Sequence, residues 1–406
     1  MTLVGAIVAC MIGAVVICAG SLVMTLINLG YYCNARGGAR GRAPAPRGGP
    51  SGVENTPLVS VCIPARDEEA NIEACVLAVL SSDWPALEVL VYDDQSTDAT
   101  PRIIERLIEQ DPRVRRAPTS ALPPVWVGKQ WACQQLGRAA RGEWLVFTDA
   151  DVRFEPTCVR AALDAARALD ADLISTFPRQ ITATLAERLL VPMIHFILFS
   201  YLPMGQMRGS NSPSASAGCG QFLCVRRGAY ESAGGHAAWR DSMHDGIRMP
   251  RAVRRAGFHS DLFDGTRHLS CRMYRGFVQT WRGFAKNAYE GLGSVGLLLF
   301  LTVLHVVGHV LPWIVLPGAV LVESWRGPIL LLAAAAVVLA LAQRLVLARR
   351  FEQDLIGAAL HPLAVLMMTA VQWHSFALAR LGRRAWKGRA SGSAAPPAAP
   401  REGVQR

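Results

Sequence analysis

"EWLVFTDADVRFEP", residues 143–156, sets an apolar run, Leu145-Val146-Phe147, just ahead of two aspartates separated by one alanine, Asp149 and Asp151. The run has the length and composition of a strand buried on both faces. Two carboxylates at i and i+2 beyond such a strand repel one another unless a cation lies between them. Three comparable runs accompany it: "LVSVCIPA" (58–65), "LEVLVYDD" (87–94) and "ADLISTFP" (171–178). The stretches between them read as helices. "STDATPRIIERLIEQ" (96–110) offers Ser, Thr and Asp caps with Pro101 near the first turn, and "EPTCVRAALDAARAL" (155–169) has Ala/Leu periodicity behind an acidic start. Alternation of this kind over residues 55–290 predicts an α/β fold with an open, mostly parallel sheet.

Ligands of such sheets sit beyond the carboxyl ends of the strands, so the strand ends carry the functional information. After the first strand come Asp67, Glu68 and Glu69; after the second, Asp93 and Asp94; after the third, Asp149 and Asp151. One acidic strand end is as readily an N-cap for the next helix. Three on one edge fit a nucleotide together with Mg²⁺ or Mn²⁺, the D-x-D pair helping to hold the metal against a diphosphate. No Walker A sequence and no G-x-G-x-x-G follows a strand, which disfavours P-loop and dinucleotide-binding readings.

The rest of the chain belongs with a membrane. It has 406 residues, 51% of them hydrophobic, and a net charge of +11; the mean hydropathy is +0.24. Residues 33–53 hold Arg36, Arg40, Arg42 and Arg47 with no acid, and residues 380–406 hold seven basic residues against Glu402. Nearly all the excess charge thus flanks apolar runs, which reads as positive-inside flanking or as solvated tails and not as a nucleic-acid surface. Residues 3–32 carry no charge and exceed the roughly 20 residues that span a bilayer, which predicts an anchor over 1–32 followed by a flexible basic linker over 33–54. Apolar runs at about 292–322, 328–348 and 355–379 predict a membrane block over 291–380, ahead of a basic disordered tail over 381–406. Three full crossings after a cytoplasmic domain would put that tail outside, against the positive-inside rule, so one run is expected to lie in the interface; 292–322, broken by Gly308, Pro312, Pro317 and Gly318, is the first choice. Ten cysteines without a C-x-x-C pair fit a reduced, cytosolic setting for the soluble part.

In chain order, "VSVCIPARDEEANIEACVLAVL", "LEVLVYDDQSTDAT", "WLVFTDADVRFEP", "ASAGCGQFLCVRRGAYESAGGH" and "DSMHDGIRMPRAVRRAGF" resemble the family 2 glycosyltransferases of the GT-A fold, over about residues 58–290. "WVGKQWA" (126–132), "GGH" (234–236), "RMYRGF" (272–277) and "WKGR" (386–389) resemble its membrane-bound bacterial branch, with hopanoid-associated and carotenoid glycosyltransferases. The resemblance implies that Asp67, Asp93 and Asp94 meet the uracil and ribose of a UDP-sugar. It makes Asp149 and Asp151 the metal-binding pair, and Asp245 the catalytic base of an inverting transfer. Lys129 is implied to neutralise diphosphate, or is a structural lysine; Asp245 is equally placed to cap the helix after it. Processive synthases of the family carry Q-x-x-R-W; here Gln279-Thr-Trp-Arg282 is followed by Gly283, which favours a single transfer and leaves Arg282 to help hold diphosphate.

The apolar stretch 185–205, broken by Pro192 and Pro203, reads as an interfacial element or as core, with His195 structural. A domain tied to the membrane at both ends implies a lipid acceptor: a carotenoid, hopanoid, other polyprenoid or glycerolipid. The rival readings are a polyprenyl-phosphate glycosyltransferase or short-polymer synthase, and a non-catalytic membrane scaffold. The expected location is the cell membrane, multi-pass, with the catalytic domain cytoplasmic.

Overall fold

The computed structural model describes residues 3–33, 56–381, 385–386 and 389–390; the expected basic linker and tail lie almost wholly outside the described residues. The strands are β1 (Val59–Ala65), β2 (Leu87–Asp93), β3 (Val114–Arg116), β4 (Trp144–Thr148), β5 (Val152–Phe154), β6 (Leu173–Ser175), β7 (Arg179–Gln180), β8 (Phe222–Arg226), β9 (Ser260–Leu262) and β10 (Leu269–Cys271). Seven of them form one sheet in the order β3-β2-β1-β4-β8-β6-β9. It is parallel except at β8, which runs antiparallel to both β4 and β6. A small second sheet, β5-β10-β7, follows the D-x-D turn.

Every residue of β1, β2 and β4 is buried, because helices cover both faces. The period-2 geometry of a strand divides them. Val59, Val61, Ile63, Val89, Val91 and Val146 pack under α2 (Ile72–Leu80), α3 (Thr100–Gln110) and α5 (Cys158–Ala168). Cys62, Leu90, Tyr92, Leu145 and Phe147 pack under α4 (Gly128–Ala139), α9 (Arg227–Ser232) and α10 (Asp245–Arg255). Pro101 stands in the first turn of α3 as its fixed φ favours. The helix expected at 155–169 begins only at Cys158, because Val152–Phe154 first pairs with β10.

Three short helices, α6 (Leu185–Leu190), α7 (Met193–Tyr201) and α8 (Met204–Gly209), join this domain to the long apolar helices. After the domain come α11 (Gly276–Ala285), α12 (Ala288–Leu292), α13 (Val295–His305), α14 (Leu311–Leu321), α15 (Pro328–Arg350), α16 (Leu355–Ala359) and α17 (His361–Arg380). With α1 (Leu3–Cys33), four helices among the described residues are long and apolar enough to cross a membrane: α1, the continuous Val295–Leu321, α15 and α17. Within 292–322, chosen from sequence as the broken run, Val295–Leu321 is one helix across a π-helical turn at Val306–Val310. Small residues let α1 and α15 approach closely: Ala14 and Cys18 pack with Ala333, Ala336 and Ala340.

The 185–205 stretch serves as the joint between domain and helices. Met193, Phe196 and Phe199 are buried with Tyr32, Leu347, Phe351, Val365 and Met368. Asn28 Nδ2 donates to the carbonyls of Phe199 (2.8 Å) and Leu202 (2.7 Å). Gln343 Nε2 donates to Thr25 Oγ1 and Ser200 Oγ, each at 2.7 Å. His195 is buried, stacked 4.1 Å from Phe351 and bonded through Nδ1 to Gln353, with its Nε2 without a partner.

Candidate active site

The parallel register of β1, β2 and β4 brings the acids expected at their ends onto one edge. Asp67 adopts a left-handed φ of 49°, which turns its carboxylate onto the β2–α3 loop. Its Oδ1 accepts from the Thr97 N–H (2.7 Å) and hydroxyl (3.2 Å). Asp94 is buried, with Arg66 Nη1 3.7 Å from its Oδ2. Asp93 faces elsewhere: its carboxylate takes Arg116 Nη2 and the Ser96 N–H, both at 3.2 Å, so it braces the loop that carries Asp94.

The centre of the site is an ammonium between two carboxylates. Lys129 Nζ, at the start of α4, lies 2.6 Å from Asp149 Oδ1 and 3.2 Å from Asp245 Oδ2. Burial opposes its charge, yet Asp149 and Asp245 outweigh burial and hold Lys129 well above the usual lysine range. Asp245 is 4% exposed. Burial pushes its carboxyl up, and Lys129 with further groups brings it below the ordinary aspartate value. Asp245 is the first residue of α10, where the helix dipole favours an anion. The cap position is His244, with no side-chain capping bond, so the capping role weighed for Asp245 is not the one its carboxylate takes.

Glycines admit this arrangement. A Cβ on Gly246 would sit 2.3 Å from the Gly218 carbonyl, and one on Gly220 would sit 3.5 Å from Asp245 Cβ. The start of α10 is thereby pressed against the "AGCG" loop. Across the site, Glu290 of α12 accepts from the Ser242 hydroxyl and, at 3.4 Å, from the Met243 N–H. Gln130 Nε2 donates to the Ser242 carbonyl at 2.9 Å. A helix adjoining the long apolar helices thus fixes the loop that carries Asp245.

Asp151 lies deeper than Asp149. Burial, then the charges of Asp149 and Glu68, push its carboxyl up to about 7. Its Oδ1 is buried without a hydrogen-bond partner. A divalent cation fits these features, since it would replace repulsion with shared attraction and satisfy the open oxygen. Among the described residues no group of three or more His, Cys, Asp or Glu ligands converges on one point. A cation at the pair would draw its remaining oxygens from water and a diphosphate.

Arg282 does not join this cluster. It is exposed at the end of α11, and among the described residues no ion pair ties it to the site carboxylates. Arg272 is engaged by Glu187, 3.5 Å away. His236 and Tyr274 carried no assigned role in the sequence reading. His236 is fully buried, bonded through Nδ1 to the Tyr230 hydroxyl at 2.8 Å, and lines the same pocket as Lys129, Asp149 and Asp245. Burial above all holds it neutral, down to about 4. Tyr274 is raised by burial, then by Asp151 and Asp149, and so neighbours the D-x-D turn. It also fills the space beside Gly283, where a Cβ would lie 2.2 Å from its ring.

A sheet of this order, with acids on its carboxyl edge and a D-x-D turn leading into a small second sheet, is the GT-A fold. Residues 60–233 match the family described as Glycosyl transferase family 2. The chain is 27% identical over 264 residues to the 4,4'-diaponeurosporenoate glycosyltransferase of Staphylococcus haemolyticus, covering 63% of this chain and 68% of that protein. It is 34% identical over 115 residues to a chondroitin synthase of Escherichia coli, covering 28% of this chain but 16% of the relative. The fold is similar to a mannosyltransferase of Pyrobaculum calidifontis solved with GDP-Man and Mn²⁺, at a TM-score of 0.53 and 19% identity over 91% of this chain and 98% of that one.

Proposed function

We propose that the protein is a membrane-bound, inverting glycosyltransferase that moves one sugar from a UDP-sugar to a lipid acceptor of the carotenoid, hopanoid, polyprenoid or glycerolipid kind. The observation that carries the reading is the Lys129 ammonium shared by Asp149 and Asp245: the donor side and the acceptor side of a transfer site meet at one cation. Asp67 and Asp94 would receive the nucleoside, with Asp93 bracing their loop. Asp149 and Asp151 would hold Mg²⁺ or Mn²⁺, whose chemistry is to neutralise diphosphate charge. Lys129 is positioned to follow that charge as it develops on the leaving group. Asp245 would accept the proton of the acceptor hydroxyl as it attacks the anomeric carbon in line. His236, neutral and buried, would shape the pocket without adding charge. Arg282 would contribute only by reorienting toward diphosphate.

Residues 55–290 would be the catalytic unit, residues 291–380 the membrane block, and the setting the cell membrane with the catalytic unit cytoplasmic. The packing supports α17, instead of 292–322, as the interfacial helix. It lies along elements of the catalytic side: Trp281 Nε1 of α11 donates to His374 at 2.9 Å, and the Tyr289 N–H of α12 donates to Ser375 at 3.0 Å. At its other end α16 abuts Arg188 of α6. With α17 in the interface, three crossings remain and the basic tail returns to the cytoplasm, in accord with the positive-inside rule. Membranes containing the protein, incubated with labelled UDP-sugars, GDP-mannose and host lipid extract, test the reaction by mass spectrometry. One sugar on a lipid is expected; a sugar on a polyprenyl phosphate or a chain would select the rival enzymes, and no labelled product with any donor would contradict transfer.

A further inference from the structure

Arg344, on α15, is fully buried, and its Nε, Nη1 and Nη2 all lack hydrogen-bond partners. Nearby arginines on the domain side are matched: Arg350 with Asp264, Arg179 with Glu352 and Arg188 with Asp354. Among the described residues no carboxylate pairs with Arg344. An unpaired cation inside an apolar helix block is costly, and intramembrane ionisable groups mark functional sites.

Arg344 is not alone. Leu347, one turn along α15 from it, is buried with Phe196, Val310 and Ala364, and α15 packs against both the Val306–Val310 turn and α17, which carry His309 and His361. His361 Nε2 and His309 Nδ1 are 3.1 Å apart, and with His305 these rings surround Phe196 at 5.0–6.1 Å. His309 Nε2, His361 Nδ1, both nitrogens of His305 and the Tyr201 hydroxyl are buried without partners. Of the open pair His309 Nε2 and His361 Nδ1 one donates and one accepts, whichever ring donates in the bond between them; His305 and the Tyr201 hydroxyl each offer one further donor beside the three of Arg344, and the cluster includes no acid. His309 sits in the π-helical turn Val306–Val310, a distortion frequent at functional sites. Outside the cluster, α13 and α17 present Leu299, Phe300, Val303, Leu363 and Leu366 as exposed apolar side chains, so an approaching ligand crosses an apolar surface.

We propose that Arg344, with His305, His309 and His361, forms an anion site inside the helix block that takes the carboxylate or phosphate of a membrane lipid. The site stands apart from the transfer reading, and its test needs no transfer. The full-length protein in dodecyl maltoside is heated with oleate or dioleoyl phosphatidic acid, and in parallel with oleyl alcohol or diolein, which have the same chains without the charge. Acetate and inorganic phosphate form the soluble arm. The expected result is an unfolding midpoint raised by a few degrees by the anionic lipids over their neutral counterparts. Arg344→Met is expected to remove that difference, with a lipid-free midpoint no lower than that of the parent. Native mass spectrometry of the unaltered protein should retain the anionic lipid in preference to the neutral one, a readout independent of how the variant folds. Equal response to neutral lipid, or a response intact in Arg344→Met, overturns the site. An equal response to inorganic phosphate overturns the lipid source.

Discussion

Lys129 balances two carboxylates that would otherwise face each other across a buried site. Replacing it with methionine leaves Asp149 and Asp245 uncompensated and should cost about 3 kcal/mol, read as a lowered unfolding midpoint, with transfer lost as well. Full retention of stability would show that the bridge is not formed. Gly283 is fixed by contact. A tryptophan there, as in the processive pattern, meets Tyr274 and should cost about 1–3 kcal/mol without producing polymer; Tyr274→Ala in the same chain should recover part of the loss. Longer products from Gly283→Trp alone would contradict this reading. The acids of the site were legible one by one, because each follows an apolar run of strand length. His236, Tyr274 and Glu290 were not, because they reach the site through packing between segments distant in sequence. Arg116, from a strand the sequence did not announce, pairs with the Asp93 carboxylate.

At the scale of elements, Glu187 couples α6 to α11. It is fully buried and accepts from the Gly276 N–H (2.7 Å), the Ala183 N–H (2.8 Å) and the Thr184 hydroxyl (2.9 Å). Burial raises its carboxyl, but these donors and Arg272 bring it down to about 2. A depressed carboxyl contributes stability that is present above its unfolded value, near 4.5, and is lost as pH falls from there toward 2. Glu187→Gln should therefore destabilise the protein at neutral pH by an amount of order 2 kcal/mol and flatten the acid limb of its stability profile. An unchanged acid limb would remove Glu187 from the account. Strands β1, β2 and β4 were legible as continuous apolar runs. The short β5 was not, since three residues inside an acidic turn carry no periodicity and gain their strand character from β10. The Pro and Gly residues that interrupt 292–322 in sequence do not break Val295–Leu321: a π-turn at Val306–Val310 takes up Gly308 just before Pro312, and Pro317 stands inside the helix.

The whole molecule is a transfer domain seated on apolar helices, and the side of the membrane on which it ends follows from α17. A fluorescent protein fused after residue 406 should fluoresce, while alkaline phosphatase at the same point should be inactive and active when fused after Trp325, in the α14–α15 loop. Active phosphatase at the C-terminus would make α17 a crossing helix. Composition and charge announced membrane attachment, but which apolar run lies flat depends on contacts with α11, α12 and α16 that no hydropathy pattern records. The donor and acceptor halves of the reaction are assigned to different carboxylates, and one substitution separates them. Asp245→Asn, in full-length protein reconstituted with lipid extract, should bind the UDP-sugar with Mn²⁺ as tightly as the parent by titration calorimetry. Its rate of sugar transfer to lipid should fall by about 10²–10⁴-fold. Transfer at the parental rate would contradict the account.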